Sequence, residues 1–156
     1  MMVMMAAWSA QAATYYGFKI GGVSVNSDNY NNVTGSNISG SVSYNPSTNT
    51  VTLTNVTISR TGSYNRCIHN ESNDGLIVNL QGTNNLSAQD ASAVRLDSGV
   101  DMTMNVVNGT TTISSVDEEG IYVTSNSSHC FYINTLNNGK LKVTSTNKAG
   151  IASSNS

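Results

Sequence analysis

His69, Arg95 and Tyr122 recur at steps of 26 and 27 residues (95−69 and 122−95), a spacing that would bring them into one column if each step closed one turn of the chain. Such a column could read a charged sugar polymer. An arginine fork pairs bidentately with a uronic-acid carboxylate, and a tyrosine ring offers a stacking face. Asn79, Asn105 and Asn134 form a second column of the same kind. Outward residues on any array of equivalent turns line up by register alone, and an asparagine column also serves by laddering its own amides. A third group is acidic: Asp90 and the run Asp117-Glu118-Glu119 precede equivalent positions of two successive turns. Asp90, Asp117 and Glu119 are therefore candidate ligands for calcium, a hard cation that takes six to eight oxygens. No Asp-x-Asp-x-Asp-Gly loop accompanies them, and a solvated acidic turn is the alternative.

These columns depend on a repeat that runs through the chain from Cys67 onward. A small residue followed by a β-branched one occurs at Cys67-Ile68, Ala93-Val94, Gly120-Ile121 and Gly150-Ile151, with steps of 26, 27 and 30 (94−68, 121−94, 151−121). Apolar residues two apart follow the first three, at Leu76/Val78/Leu80, Met102/Met104/Val106 and Phe131/Ile133/Thr135. Glycines come next at Gly82, Gly109 and Gly139, and an apolar residue four further on, at Leu86, Ile113 and Val143. A period of this length signals a solenoid, and the alternation by two inside each unit is that of strands. The architecture implied is a parallel β-helix of three short strands per coil, in which equivalent positions stack about 4.8 Å apart. A single coil buries too little to stand alone, so each depends on its neighbours.

Ahead of the repeat, Tyr15–Ile20 and Val23–Val25 flank Gly21-Gly22, a hairpin signal because both turn residues tolerate positive φ. Ser27–Val33 has the makings of one helical turn capped by Ser27. Ser41–Tyr44 and Thr50–Leu53 flank Asn45-Pro46-Ser47-Thr48-Asn49, a second hairpin or corner. Residues 13–58 thus form an N-terminal cap and first coil, needed because an uncovered coil would present an unpaired edge. Residues 59–156 carry the remaining coils.

Only 10% of the residues are charged and the formal net charge is −2; with no basic stripe to replace phosphate counterions, a nucleic-acid partner is not expected. No apolar run is long enough to span a bilayer. Residues 1–12 are apolar and end in Ala10-Gln11-Ala12, which fits the small-x-small rule of signal-peptide cleavage although the basic n-region is missing. They are expected to be a truncated signal peptide of a secreted or surface-attached protein; a buried first strand is the alternative. The fourth coil begins at Ala149-Gly150-Ile151 and stops at Ser156, which suggests a fragment of a longer chain or end-to-end self-association through an open coil. Cys67 and Cys130 fall two coils apart, about 9.6 Å along the axis, beyond the reach of a disulfide, and no spacing suggests zinc.

Catalysis finds little support in the residue pattern. A glycosidase needs two carboxyl groups about 5 to 9.5 Å apart, and Asp117, Glu118 and Glu119 are consecutive and splay apart, leaving Asp90 and Asp117 as the pair one coil apart. A lyase needs a basic proton abstractor, for which Arg95 is the one candidate on a strand face.

Two segments resemble a known group. Gly40–Ile58 (GSVSYNPSTNTVTLTNVTI) looks like a segment of secreted and cell-surface proteins of gut bacteria, and Ile77–Leu86 (IVNLQGTNNL) is similar to the coil signature of bacterial β-helix proteins of the carbohydrate-binding-domain type. The resemblance implies a right-handed parallel β-helix, export from the cell, and in some members calcium-dependent binding of plant-type or acidic polysaccharides. The motifs of β-helix polygalacturonases are absent. The function expected is non-catalytic polysaccharide binding or adhesion, with a lyase or hydrolase, or a purely structural stalk, as alternatives.

Overall fold

The computed structural model describes residues 11–125 and 129–155, and within them the chain is all β, without a helix. The expected signal peptide lies largely outside the described residues. Fourteen strands follow one another: β1 (Tyr15–Ile20), β2 (Val23–Asn26), β3 (Ile38–Asn45), β4 (Thr50–Arg60), β5 (Ile68–Asn70), β6 (Leu76–Gln81), β7 (Asn84–Ala88), β8 (Val94–Leu96), β9 (Met102–Val106), β10 (Thr110–Ser115), β11 (Ile121–Ser125), β12 (Phe131–Thr135), β13 (Lys140–Ser145) and β14 (Ile151–Asn155). From β5 onward every third strand pairs in parallel with its counterpart one coil on. The result is a parallel β-solenoid of about four turns.

The expected stacking is met position by position. Ile68, Val94, Ile121 and Ile151 pair along the first-strand face. Leu76, Met102 and Phe131, with Val78, Met104 and Ile133 beside them, pair along the second, and Leu86, Ile113 and Val143 along the third. These columns are the core. Ile68, Leu76, Val78, Met104 and Ile113 are fully buried, while Phe131, Ile133 and Val143 of the last rung are half-buried and Thr135, expected inward, is exposed.

β4 builds the first rung of two faces at once. Its Thr50–Thr54 half pairs with β6 and its Thr57–Arg60 half with β7. Between them Asn55 turns the corner at φ 52°, where the next coils use Gly82 (71°) and Gly109 (69°); asparagine is among the few side chains that tolerate this region. β3 folds back on β4 as an antiparallel hairpin across Asn45–Asn49. The predicted β1–β2 hairpin forms too, with Gly21 and Gly22 both at positive φ (57° and 82°). β1 occupies the first-strand position of this rung but runs antiparallel to β5.

The helical turn expected at Ser27–Val33 does not form. The segment is a series of turns, in which Asn26 Oδ1 accepts the Asp28 N–H (2.9 Å) and Asn29 Oδ1 accepts the Asn26 N–H (2.9 Å). Asparagine side chains bonding the local backbone compete with helix, and Ser27 Oγ accepts the Thr14 N–H (3.0 Å) instead of capping.

Both cysteines are free. Cys67 fills the small corner position held by Ala93 and Gly120, and burial pushes its thiol up to about 12. Among the described residues no helix is long and apolar enough to cross a membrane.

Candidate functional site

The outward side of the first-strand face carries a continuous polar ladder. Parallel pairing sets His69 beside Arg95, Arg95 beside Tyr122, and Tyr122 beside Ala152. Alternation continues beyond the short strands, so Glu71 and Asp97, two residues after His69 and Arg95, share that side. Tyr15 Oη donates to Glu71 Oε2 (2.6 Å) and Lys19 Nζ to Glu71 Oε1 (2.6 Å). His69 Nδ1 lies 3.2 Å from Glu71 Oε1 and its Nε2 2.9 Å from Asp97 Oδ2. Arg95 Nε donates to Asp97 Oδ1 (2.6 Å), its guanidinium carbon sits 5.2 Å from the centre of the Tyr122 ring, and Tyr122 Oη is 2.6 Å from Ser154 Oγ.

The ladder perturbs the groups within it. Burial pulls His69 below the ordinary imidazole range, against the opposing pull of Asp97 and Glu71. Burial also raises Asp97 and Glu71, but the Arg95 and His69 contacts of the one, and the Lys19, Tyr15 and His69 contacts of the other, outweigh it and hold both carboxylates below their usual range. Tyr15 is raised by burial and by Glu71. His69 Nε2 is engaged by Asp97 and Nδ1 lies beside Glu71, so the ring is a link in the ladder.

Beside the ladder lies a cleft of about 460 Å³. Arg66, Arg95 and Tyr122 line it together with Ser63, Tyr64 and Ser92, and Asp90, Glu118, Glu119 and Lys148 complete the wall. Its lip is the 61–66 loop. Gly62 N–H donates to Asp90 Oδ2 (2.6 Å) and Arg60 Nη2 to Asn65 Oδ1 (2.7 Å). The loop holds Tyr64 at φ 69° with 82% of its surface exposed, a backbone state that costs a non-glycine residue about 1–3 kcal/mol. Arg66 packs its guanidinium 5.6 Å from the Tyr64 ring centre, and its buried Nε has no hydrogen-bond partner among the described residues. Burial, then the charge of Arg95, depresses Arg66. Arg66 and Arg95 thus line the same cleft as three carboxylates, Asp90, Glu118 and Glu119. There Lys148 Nζ bridges Glu118 Oε2 (3.0 Å) and Glu119 Oε1 (3.8 Å).

The asparagine column stands on the second-strand face, apart from this cleft. Asn105 Nδ2 donates to Asn79 Oδ1 (2.9 Å) and Asn134 Nδ2 to Asn105 Oδ1 (3.0 Å). Its amides are spent on one another, as a ladder requires. The expected calcium ligands do not converge. Asp90 holds the 61–66 lip, Asp117 Oδ1 accepts from Asn147 Nδ2 (2.8 Å), and Glu119 faces Lys148 and Ser92. Among the described residues the group whose ligating atoms all lie within 4.8 Å of one another is Asp74, Asp101 and His129, at a different corner.

Fold and site together define a parallel β-solenoid with a charged outward ladder flanking a cleft. No protein-family model, curated protein or solved structure matches the chain. The register places His69, Arg95 and Tyr122 in one column, as the sequence spacing implies, and the cleft adds Tyr64 and Arg66, which the repeat did not single out. Glu71 and Asp97 lie just beyond the ends of β5 and β8, and their i+2 offset from His69 and Arg95 is the sequence signal that sets them on the same side.

Proposed function

We propose that the chain is a non-catalytic binding module for an acidic polysaccharide, of the exported kind that the Gly40–Ile58 and Ile77–Leu86 segments resemble, working outside the cell or at its surface. The observation that carries this reading is that Arg66 and Arg95 line one open cleft beside the exposed ring of Tyr64. A uronic-acid carboxylate would satisfy both guanidinium groups. Ser63 and Ser92, with Asp90, Glu118 and Glu119, offer partners for ring hydroxyls, and the exposed ring of Tyr64 offers a stacking face at the rim. Arg95 packs over one face of the Tyr122 ring, so Tyr122 positions Arg95 as well as lining the cleft.

The test is binding of the purified protein to pectate, alginate and a neutral glucan, with assay of the supernatant for new reducing or unsaturated ends. Saturable binding to the uronate polymers, weakened tenfold or more (about 1.4 kcal/mol) by Arg66→Ala and by Arg95→Ala, is the expected result. Release of sugar ends would make the cleft an active site, with Glu118 and Glu119 the first carboxylates to replace. Binding to none of the polymers would leave a structural stalk.

A further inference from the structure

Away from the cleft, Asp74, Asp101 and His129 meet at the corner that leads into the second-strand face, one residue from each of three successive coils. Gly75 pairs its N–H with the Asp101 carbonyl (3.1 Å) and Met102 pairs with the Cys130 carbonyl (3.2 Å), so the three residues belong to one stacked corner. Each aspartate is anchored through a single oxygen. Asp74 Oδ1 accepts the Asp101 N–H (2.8 Å), and Asp101 Oδ1 accepts the Cys130 N–H (2.7 Å) with His129 Nδ1 at 3.3 Å. That leaves Asp74 Oδ2 and Asp101 Oδ2 without a hydrogen bond among the described residues.

What distinguishes this corner is that two carboxylates without a lysine or arginine partner meet at an imidazole. Among the described residues Asp28, Asp90 and Asp117 also lack such a partner within 4.0 Å, but none of them belongs to a group of three potential ligands. Glu71 faces Lys19, Asp97 faces Arg95, and Glu118 and Glu119 share Lys148. Asp74 and Asp101 stand one rung apart, and among the described residues neither has a lysine or arginine within 4.0 Å; an imidazole is the sole basic group between them. Like carboxylates at this spacing repel, and a bound cation removes the repulsion. From the start of the first strand to the start of the second the earlier coils use eight residues (76−68 and 102−94) and the third uses ten (131−121), because β11 is five residues long where β5 and β8 are three.

We propose that Asp74, Asp101 and His129 form a site for a zinc ion. One imidazole nitrogen and two carboxylate oxygens are a three-ligand set that leaves a fourth, open position in tetrahedral geometry. The donor set argues against calcium, which takes oxygens only and more of them. The backbone N–H groups on Asp74 and Asp101 are the outer partners that hold metal-binding carboxylates in place. Because the ligands come from three coils, the ion would staple them together.

Titration calorimetry with zinc chloride, and separately with calcium chloride, on the full chain tests this. One zinc bound per chain is expected, with no calcium uptake at the same concentrations. His129→Ala and Asp101→Asn should each weaken zinc by more than the 10–100-fold that loss of an outer partner costs. The asparagine Oδ1 still accepts the Cys130 N–H, so Asp101→Asn keeps the corner folded; unchanged far-ultraviolet circular dichroism verifies that for both variants. Cys130→Ser should bind like the parent. Absence of zinc binding, calcium binding in its place, or affinity undiminished in His129→Ala and Asp101→Asn would overturn the assignment, as would loss of binding confined to Cys130→Ser.

Discussion

At φ 69°, Gly109 turns the corner between β9 and β10, and a β-carbon there would fall on the carbonyl oxygen of Gly82 in the coil below. Two separate penalties therefore meet in one methyl group: positive φ for a side-chain-bearing residue, and a clash with backbone that cannot rotate away. Gly109→Ala is expected to lose at least about 1–3 kcal/mol, read as a lowered urea midpoint with an unchanged slope. Asn55 escapes the same penalty because it heads its column: its side chain accepts the Thr83 N–H (2.9 Å) and occupies the space above Gly82. Tyr64 holds a similar φ with no such excuse in packing, since it is largely exposed. Its strain is held by the Gly62–Asp90 and Arg60–Asn65 bonds of the lip, and strained residues kept in this way cluster at binding sites.

Among the elements, β5 and β8 are only three residues long, yet they carry the ladder that joins the cap to the coils. The ladder makes stability depend on pH. His69 is depressed below its ordinary 6.5, so the unfolded chain takes up the proton first and stability falls as the pH drops below about that value. Glu71 and Asp97 are depressed from 4.5 and 3.8, so their contribution, complete above those values, drains away on further acidification. Thermal midpoints measured from pH 8 to pH 3 should thus be level at the alkaline end and decline in two stages. In His69→Gln the upper stage should vanish and the lower one remain. The columns of these strands were legible from sequence because pairing in parallel register carries one residue type to the next coil at constant offset: Ile68 to Val94, His69 to Arg95. The 61–66 lip was not, since a positive φ at a tyrosine has no periodic signature, and neither was the Asp74–Asp101–His129 corner, whose members stand at unequal offsets before Leu76, Met102 and Phe131.

For the whole molecule, burial is graded along the axis. The rungs of β6 and β9 bury Leu76, Val78, Met102 and Met104 almost completely, whereas Phe131 and Ile133 of β12 are half-buried and Ile151 of β14 is half-exposed. In a quasi-one-dimensional array each rung is stabilised chiefly by its neighbours, and local opening follows local burial. Amide exchange is expected to be slowest in β6, β9 and β7 and fastest in β12 and β14, with β1 protected by its pairing to β5; uniform protection along the axis would contradict this picture.

The reversed direction of β1 against β5 gives the array an origin. A parallel solenoid grows by translation, and every coil from β5 onward offers the next one the same edge in the same sense. β1 offers the opposite sense, and β2 reverses it again. A duplicated unit of about 27 residues can therefore be spliced among the parallel coils but not ahead of them, so any lengthening displaces later rungs outward and leaves Tyr15, Lys19 and Glu71 where they stand. Counting from that fixed zero, the coil number becomes a quantity that evolution or an engineer can change like the length of a ruler, without redrawing its first mark.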